Sequence, residues 1–278
     1  MSYIEEKVII ITGAGSGFGK LTAEKASEMG AKIICADINK QSLESVVKTI
    51  CDRGFEAKMI ITDVSKKDEV DAMAKFAVDA YGCIDVLINS AGTMPLSYYA
   101  DHATAWEAWD KCIDINLKGT LYGISAVYDQ MMKQGRGHII NLSSIYDNAP
   151  VMGSAVYQAT KIGVRYLSEV LRQEAQGTIK VTTVKPTGVL STGLVGTIIN
   201  KEASKGIYGA KYSDGLQRST KLMNNEELPS EYFDVNSPQY WRLHAEAIAE
   251  NIIYCMNQPW GVSIGDITVR ATGELYTL

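Results

Sequence analysis

Histidine is scarce in this chain. Three occur in 278 residues, His102, His138 and His244, and none stands at ligand spacing from a second histidine or a cysteine, so no metal centre is expected. The five cysteines, Cys35, Cys51, Cys83, Cys112 and Cys255, lie far apart without a C-x-x-C, which excludes a zinc knuckle or a disulfide framework and fits reduced thiols in the cytoplasm. A basic excess is also missing: 27 Lys and Arg stand against 32 Asp and Glu, giving a net charge of −5 and a pI near 5.4. Neither nucleic acid nor an anionic membrane is therefore an expected partner. The apolar run in MSYIEEKVIIITG is too short to span a bilayer, and the segment lacks the basic start and small-residue cleavage site of a signal peptide. There is no repeat, low-complexity tract or Pro/Gly-rich linker, so residues 1–278 are read as one domain.

What the chain does have is a rhythm of short apolar segments. KVIIIT, AKIICAD, EAKMIIT, IDVLIN, GHIINLS, IKVTTVK and SIGDITV alternate with helical stretches. Apolar runs that do not alternate imply strands covered on both faces, and hence an α/β fold: a doubly wound, seven-stranded, mostly parallel sheet with helices on each side. Residues 194–243 break the rhythm with glycines, asparagines and prolines and are predicted to form a long irregular insertion. Its aromatics, Tyr208, Tyr212, Tyr232, Phe233, Tyr240 and Trp241, either line a pocket or pin the insertion down, with a subunit contact as a further option.

The first strand runs into TGAGSGFG, Thr12 to Gly19, and then a helix. The strict G-x-G-x-x-G spacing fails, since Phe18 or Lys20 falls where the third glycine should be, but T-G-x-x-x-G-x-G fits with Gly13, Gly17 and Gly19. Glycines between a strand and a helix N-terminus let the backbone approach a pyrophosphate. The second strand ends at Asp37, placed to accept hydrogen bonds from both hydroxyls of an adenosine ribose and to repel a 2′-phosphate. NAD is thus expected over NADP. No Lys or Arg sits between Gly13 and Gly17, although Lys40 lies near in sequence.

These features, with NSAG at Asn89–Gly92 and VYQATK at residues 156–161, resemble the short-chain dehydrogenase/reductase family over essentially the whole chain, in the family's order. The resemblance implies a single Rossmann-type domain. It assigns Gly13, Ser16, Gly17, Phe18 and Gly19 to the phosphate turn and Asp63 and Val64 to the adenine. Asn89, Ala91 and Gly92 fall beside the cofactor, and Pro186, Val189 and Ser191 near its nicotinamide. It further implies a catalytic set of Asn116, Ser144, Tyr157 and Lys161, with Ser144, thirteen residues before Tyr157, preferred over Ser143. Two departures stand out. Ser90 replaces a family asparagine, and Thr187 in KPTGVLS occupies a family glycine position.

Tyr157 and Lys161, at i and i+4, share a helix face, so the ammonium and an oxidised nicotinamide together are expected to draw the phenol's pKa toward neutrality. The reaction implied is reversible hydride transfer between the nicotinamide and a secondary alcohol or ketone. In it Ser144 donates to the substrate oxygen, Lys161 holds the ribose, and Asn116 helps order a water relaying protons to Lys161. Met94, Leu96, Val151, Leu190, Leu194 and Tyr208 are candidate substrate residues. Those walls carry no Arg or Lys, which favours a bulky apolar carbinol, such as a steroid, bile acid or aryl carbinol, over a small 3-hydroxy acid or a polyol. A catalytically silent dinucleotide sensor is the alternative from another class. A homo-oligomer, tetramer or dimer, is expected, with Ala159, Val164, Leu167 and Leu171 suiting either a helix seam or the internal core.

Overall fold

A computed structural model describes the chain except Met1, Leu190, Ser191, Asn225 and Thr277; the side chains of Ala210, Tyr212 and Met223 are also left aside. Strand β1 (Val8–Thr12) leads through α1 (Gly17–Glu28), β2 (Lys32–Asp37), α2 (Lys40–Asp52), β3 (Ala57–Ile61) and α3 (Lys67–Tyr81) to β4 (Val86–Asn89). A long helix follows, built of α4 (His102–Cys112), a π-helical turn (Ile113–Lys118) and α5 (Gly119–Gln134). The chain then forms β5 (Gly137–Leu142), α6 (Ala155–Glu174), β6 (Ile179–Pro186), α7 (Tyr212–Met223), α8 (Ala245–Met256) and β7 (Asp266–Val269). Among the described residues these strands make one seven-stranded sheet, order β3-β2-β1-β4-β5-β6-β7, with every pairing parallel. Each expected strand is present.

Packing follows from the pleat. Ile9, Ile11, Ile33, Cys35 and Ile88 point to one face, where α1, α2 and α8 cover them. Ile10, Ile34, Leu87, Ile139 and Val181 point to the other, beneath α3, α5 and α6. Ile9, Ile10 and Ile11 are fully buried although successive residues face opposite ways, so β1 has no polar side. Each such side chain contributes roughly 2 to 3 kcal/mol of transfer free energy. The outer strands differ. In β7, Asp266 and Thr268 are exposed while Ile267 and Val269 are half-buried, because β7 lies at the sheet's edge.

Two expectations resolve here. Val164 and Leu171 belong to the chain's own core rather than to an outer seam. The 194–243 segment is more regular than predicted. It carries 3₁₀ turns at Lys201–Lys211 and Ser230–Tyr232 and the twelve-residue helix α7. Tyr208 and Trp241 join a third cluster with Leu96, Tyr146, Tyr157 and Ile207 above the C-terminal ends of the strands. No helix among the described residues is long and apolar enough to cross a membrane.

Candidate active site

The strand order reverses between β1 and β4, where a parallel sheet opens a crevice at its carboxyl end. A cavity of about 1130 Å³ lies there. Its floor begins at the turn after β1. Gly13 adopts φ +68° and its α-hydrogen side lies against Ala91, where a Cβ would come within 2.9 Å of Ala91 Cα. Gly17 has φ +51° with open space around it, and at Gly19 a Cβ would stand 2.3 Å from the Gly13 carbonyl oxygen. Thr12 ties this turn to the next strand: its Oγ1 accepts from the backbone N–H groups of Ser90 (3.1 Å) and Ala91 (3.3 Å). Ser16 precedes α1 without capping it through its side chain, and α1 has no acidic residue in its first turn. The helix thus presents unspent N–H groups to a glycine-shaped cradle, which suits a pyrophosphate.

Gly13, Ser16, Gly17, Phe18, Asp37, Asp63, Val64, Ala91, Gly92, Pro186 and Val189 all line this cavity, whereas Gly19 shapes the turn from behind. Asn89 is also behind the wall, donating from Nδ2 to Asn141 Oδ1 (2.9 Å). Asp37 Oδ2 accepts from the Gly15 N–H (2.9 Å) and Oδ1 from that of Asn39 (2.8 Å). Lys40 pairs with Glu44 (3.7 Å) and is not on the wall. Ser191 lies outside the described residues.

Ser144, Tyr157 and Lys161 meet on the same cavity wall. Lys161 Nζ donates to the Leu142 carbonyl (2.8 Å) and sits 5.8 Å from the centre of the Tyr157 ring. The spacing of four residues therefore brings them to one face without a direct bond between the charged and phenolic ends. The neighbouring serine is otherwise occupied: Ser143 Oγ donates to Asp147 Oδ2 (2.7 Å) and approaches the Lys161 carbonyl (3.1 Å). Ser144 is left as the hydroxyl that interacts with the phenol.

Electrostatics qualify the expected activation. Burial raises the Tyr157 pKa, a Ser144 hydrogen bond pulls it down, and the Asp147 charge raises it further. Burial pushes the Lys161 ammonium down to about 8, with Asp147 opposing that shift. Burial thus leaves the phenol protonated in the protein alone, so the lowering expected from Lys161 and an oxidised nicotinamide together rests on the nicotinamide charge.

Asn116 lies in the π-helical turn and is buried behind the wall. Its Oδ1 accepts from the Thr93 N–H (2.9 Å), while Nδ2 donates to the Thr93 carbonyl (2.9 Å) and Thr160 Oγ1 (3.2 Å). A side chain added at Gly92 would lie 3.3 Å from Asn116 Oδ1 and 3.8 Å from Lys161 Nζ, so this loop is fixed beside the ammonium. Such π-helical turns recur at functional sites.

Of the expected substrate residues, Met94, Leu96, Leu194 and Tyr208 line the cavity. Val151 does not: it is buried in the third cluster, its N–H donating to Gln158 Oε1 (3.1 Å). Leu190 lies outside the described residues. The inference from missing cations is corrected, because Lys201, Lys205 and Arg242 all line the cavity. Tyr146 and Tyr276 were missed as well. Only Arg242 carried a sequence signal, a cation directly following the tryptophan of an aromatic-rich insertion.

A short chain dehydrogenase family model matches residues 7–203. An uncharacterized oxidoreductase of Staphylococcus saprophyticus is 36% identical over 276 residues, covering 99% of both chains. One from Staphylococcus aureus strain MRSA252 is 32% identical over 271 residues, covering 97% of this chain and 99% of its own. Among solved structures, a serine dehydrogenase complexed with NADP+ has 25% identity and TM-score 0.75, covering 94% of each chain. An alcohol dehydrogenase from the archaeon Thermococcus sibiricus, complexed with 5-hydroxy-NADP, shares the fold at 20% identity and TM-score 0.77, covering 97% of this chain and 98% of its own. The chain belongs to the short-chain dehydrogenase family and is an oxidoreductase with a Rossmann-type fold.

Proposed function

We propose that the protein is an NAD-dependent dehydrogenase that interconverts a secondary alcohol and its ketone. The observation that carries this reading is the convergence of Ser144, Tyr157 and Lys161 on the wall that also holds the glycine turn. A bound oxidised nicotinamide would supply the hydride acceptor and a positive charge beside the phenol. Tyr157 takes the hydroxyl proton in oxidation and returns it in reduction. Ser144 donates to the substrate oxygen and holds the reacting carbon in place. Lys161, kept cationic near neutral pH, binds the nicotinamide ribose, with Asn116 steadying the loop beside it. Asp37 favours NAD, since its carboxylate repels a 2′-phosphate and the nearby Lys40 is paired with Glu44.

The substrate has a bulky apolar body, of the size of a steroid, bile acid or aryl carbinol. Leu96, Leu194, Ile207 and Leu222 supply the apolar wall. Following NADH absorbance against a panel of such ketones tests the reading. Tyr157→Phe is expected to keep NADH affinity and lose at least about a hundredfold in turnover. Undiminished turnover by that variant, or a preference for NADPH, would contradict it; silence of the wild-type protein across the panel would favour a non-catalytic sensor. The assembly is a homo-oligomer in the cytoplasm, built through the exposed Tyr166 and Val170 of α6 and Leu121 of α5. Sedimentation as a monomer at micromolar concentration would remove that part.

A further inference from the structure

Five arginines of this chain, Arg53, Arg136, Arg165, Arg172 and Arg270, lie within ion-pair distance of a carboxylate. Arg218 and Arg242 have no carboxylate within that distance among the described residues, and of these two Arg242 lines the cavity. Its guanidinium carbon lies 4.6 Å from the centre of the Trp241 ring, which fixes the plane of the group. Nη2 donates to Tyr208 Oη (3.0 Å) and Ser219 Oγ (3.3 Å), while Nε is shut from solvent with no hydrogen-bond partner. A cation sequestered with an idle donor is costly unless an anion arrives, and the planar fork of arginine matches a carboxylate.

The position relates this cation to the chemistry. Tyr146 packs edge-on against Tyr157, with ring centres 5.6 Å apart. It also feels the charge of Arg242 and the phenols of Tyr208 and Tyr276, so one buried ring links the reacting end of the cavity to the arginine. Tyr276 reaches the same wall from the C-terminal segment, its ring centre 5.5 Å from that of Tyr208. Burial holds the Tyr276 phenol up at about 12, so it stays a neutral hydroxyl that can donate.

We propose that the substrate is a carboxylate-bearing carbinol or ketone whose carboxylate is held by Arg242, assisted by the hydroxyls of Tyr208 and Tyr276, while its apolar body lies along Leu96, Ile207 and Leu222. This rests on the hydride-transfer reading and specifies its substrate. The family model ends at residue 203, so Tyr208, Arg242 and Tyr276 lie beyond the stretch it matches.

The test is a calorimetric titration of the NAD-saturated protein with hexanoate and with hexanamide, which differ in charge but not in shape. The wild-type protein should bind hexanoate at least about tenfold more tightly, and Arg242→Gln should remove that preference while hexanamide affinity is kept. Equal binding of acid and amide by the wild type, or no binding of either at millimolar concentration, overturns the proposal without any variant needing to fold. So does a preference that survives in Arg242→Gln. Tyr157→Phe should bind hexanoate as the wild type does; hexanoate selectivity in a protein that turns over no carbinol would leave the anion site standing and remove the hydride-transfer reading alone.

Discussion

Asp147 sits at the centre of a buried charge cluster behind Tyr157. Its side chain is fully buried, with Lys185 Nζ at 3.1 Å, Arg165 Nε at 3.7 Å and Ser143 Oγ at 2.7 Å. Its charge works in two directions, helping Lys161 stay cationic while resisting ionisation of Tyr157. Replacing one partner of a buried pair leaves the others uncompensated, so Asp147→Asn is expected to cost on the order of 3 kcal/mol, read as a lowered urea midpoint at unchanged slope. A midpoint within experimental error of the wild type would show that water, not Asp147, balances Lys185 and Arg165. At this scale Tyr157 and Lys161 were legible because four residues along a helix fix a shared face. Asp147 was not, and Arg242 was legible only as a cation beside Trp241, since what gives them meaning, Lys185 for one and the Tyr157–Tyr146 wall for the other, lies far off in sequence. The choice of Ser144 over Ser143 gains a physical reason only from the partners that occupy Ser143.

Strand β5 carries a histidine that the chemistry does not use. His138 is buried, its Nε2 2.8 Å from Thr182 Oγ1 on β6, and burial, with Lys180 adding to it, lowers its pKa from 6.5 to about 3. The folded state therefore keeps this ring neutral where the unfolded chain protonates it. The stability it contributes is fully present above pH 6.5 and is lost progressively as pH falls toward 3. His138→Gln should flatten that acid limb in urea midpoints measured between pH 7 and 4; an unchanged slope would mean that the ring is reached by water and charges in place. Elements were the most legible level. Short apolar runs announced all seven strands, and in β1, β4 and β5 burial on both faces writes itself into every position. Edge status did not announce itself, since SIGDITV becomes half-exposed only through its place last in the sheet. Helix α7 was missed because YSDGLQRSTKLM mixes a glycine and many polar residues on a face that meets the cavity only in part.

At the scale of the whole molecule, the family model's match ends at residue 203, and the chain beyond it supplies α8 and β7 to the core and, with Tyr208, Ser219, Arg242 and Tyr276, the far wall of the cavity. On the proposed reading, the matched stretch supplies the reaction and the far wall the choice of substrate. The proposed reaction depends on one electrostatic condition: the phenol that burial holds protonated in the protein alone must ionise once a second positive charge stands beside it. The most direct test is a pH titration of tyrosinate ultraviolet absorbance in the presence and absence of NAD+, with Tyr157→Phe as the reference. A tyrosinate transition is expected in the NAD+ complex, lower in pH by at least about one unit than any in the free protein and missing from the variant. A Tyr157 transition at the same pH with and without NAD+ would contradict it.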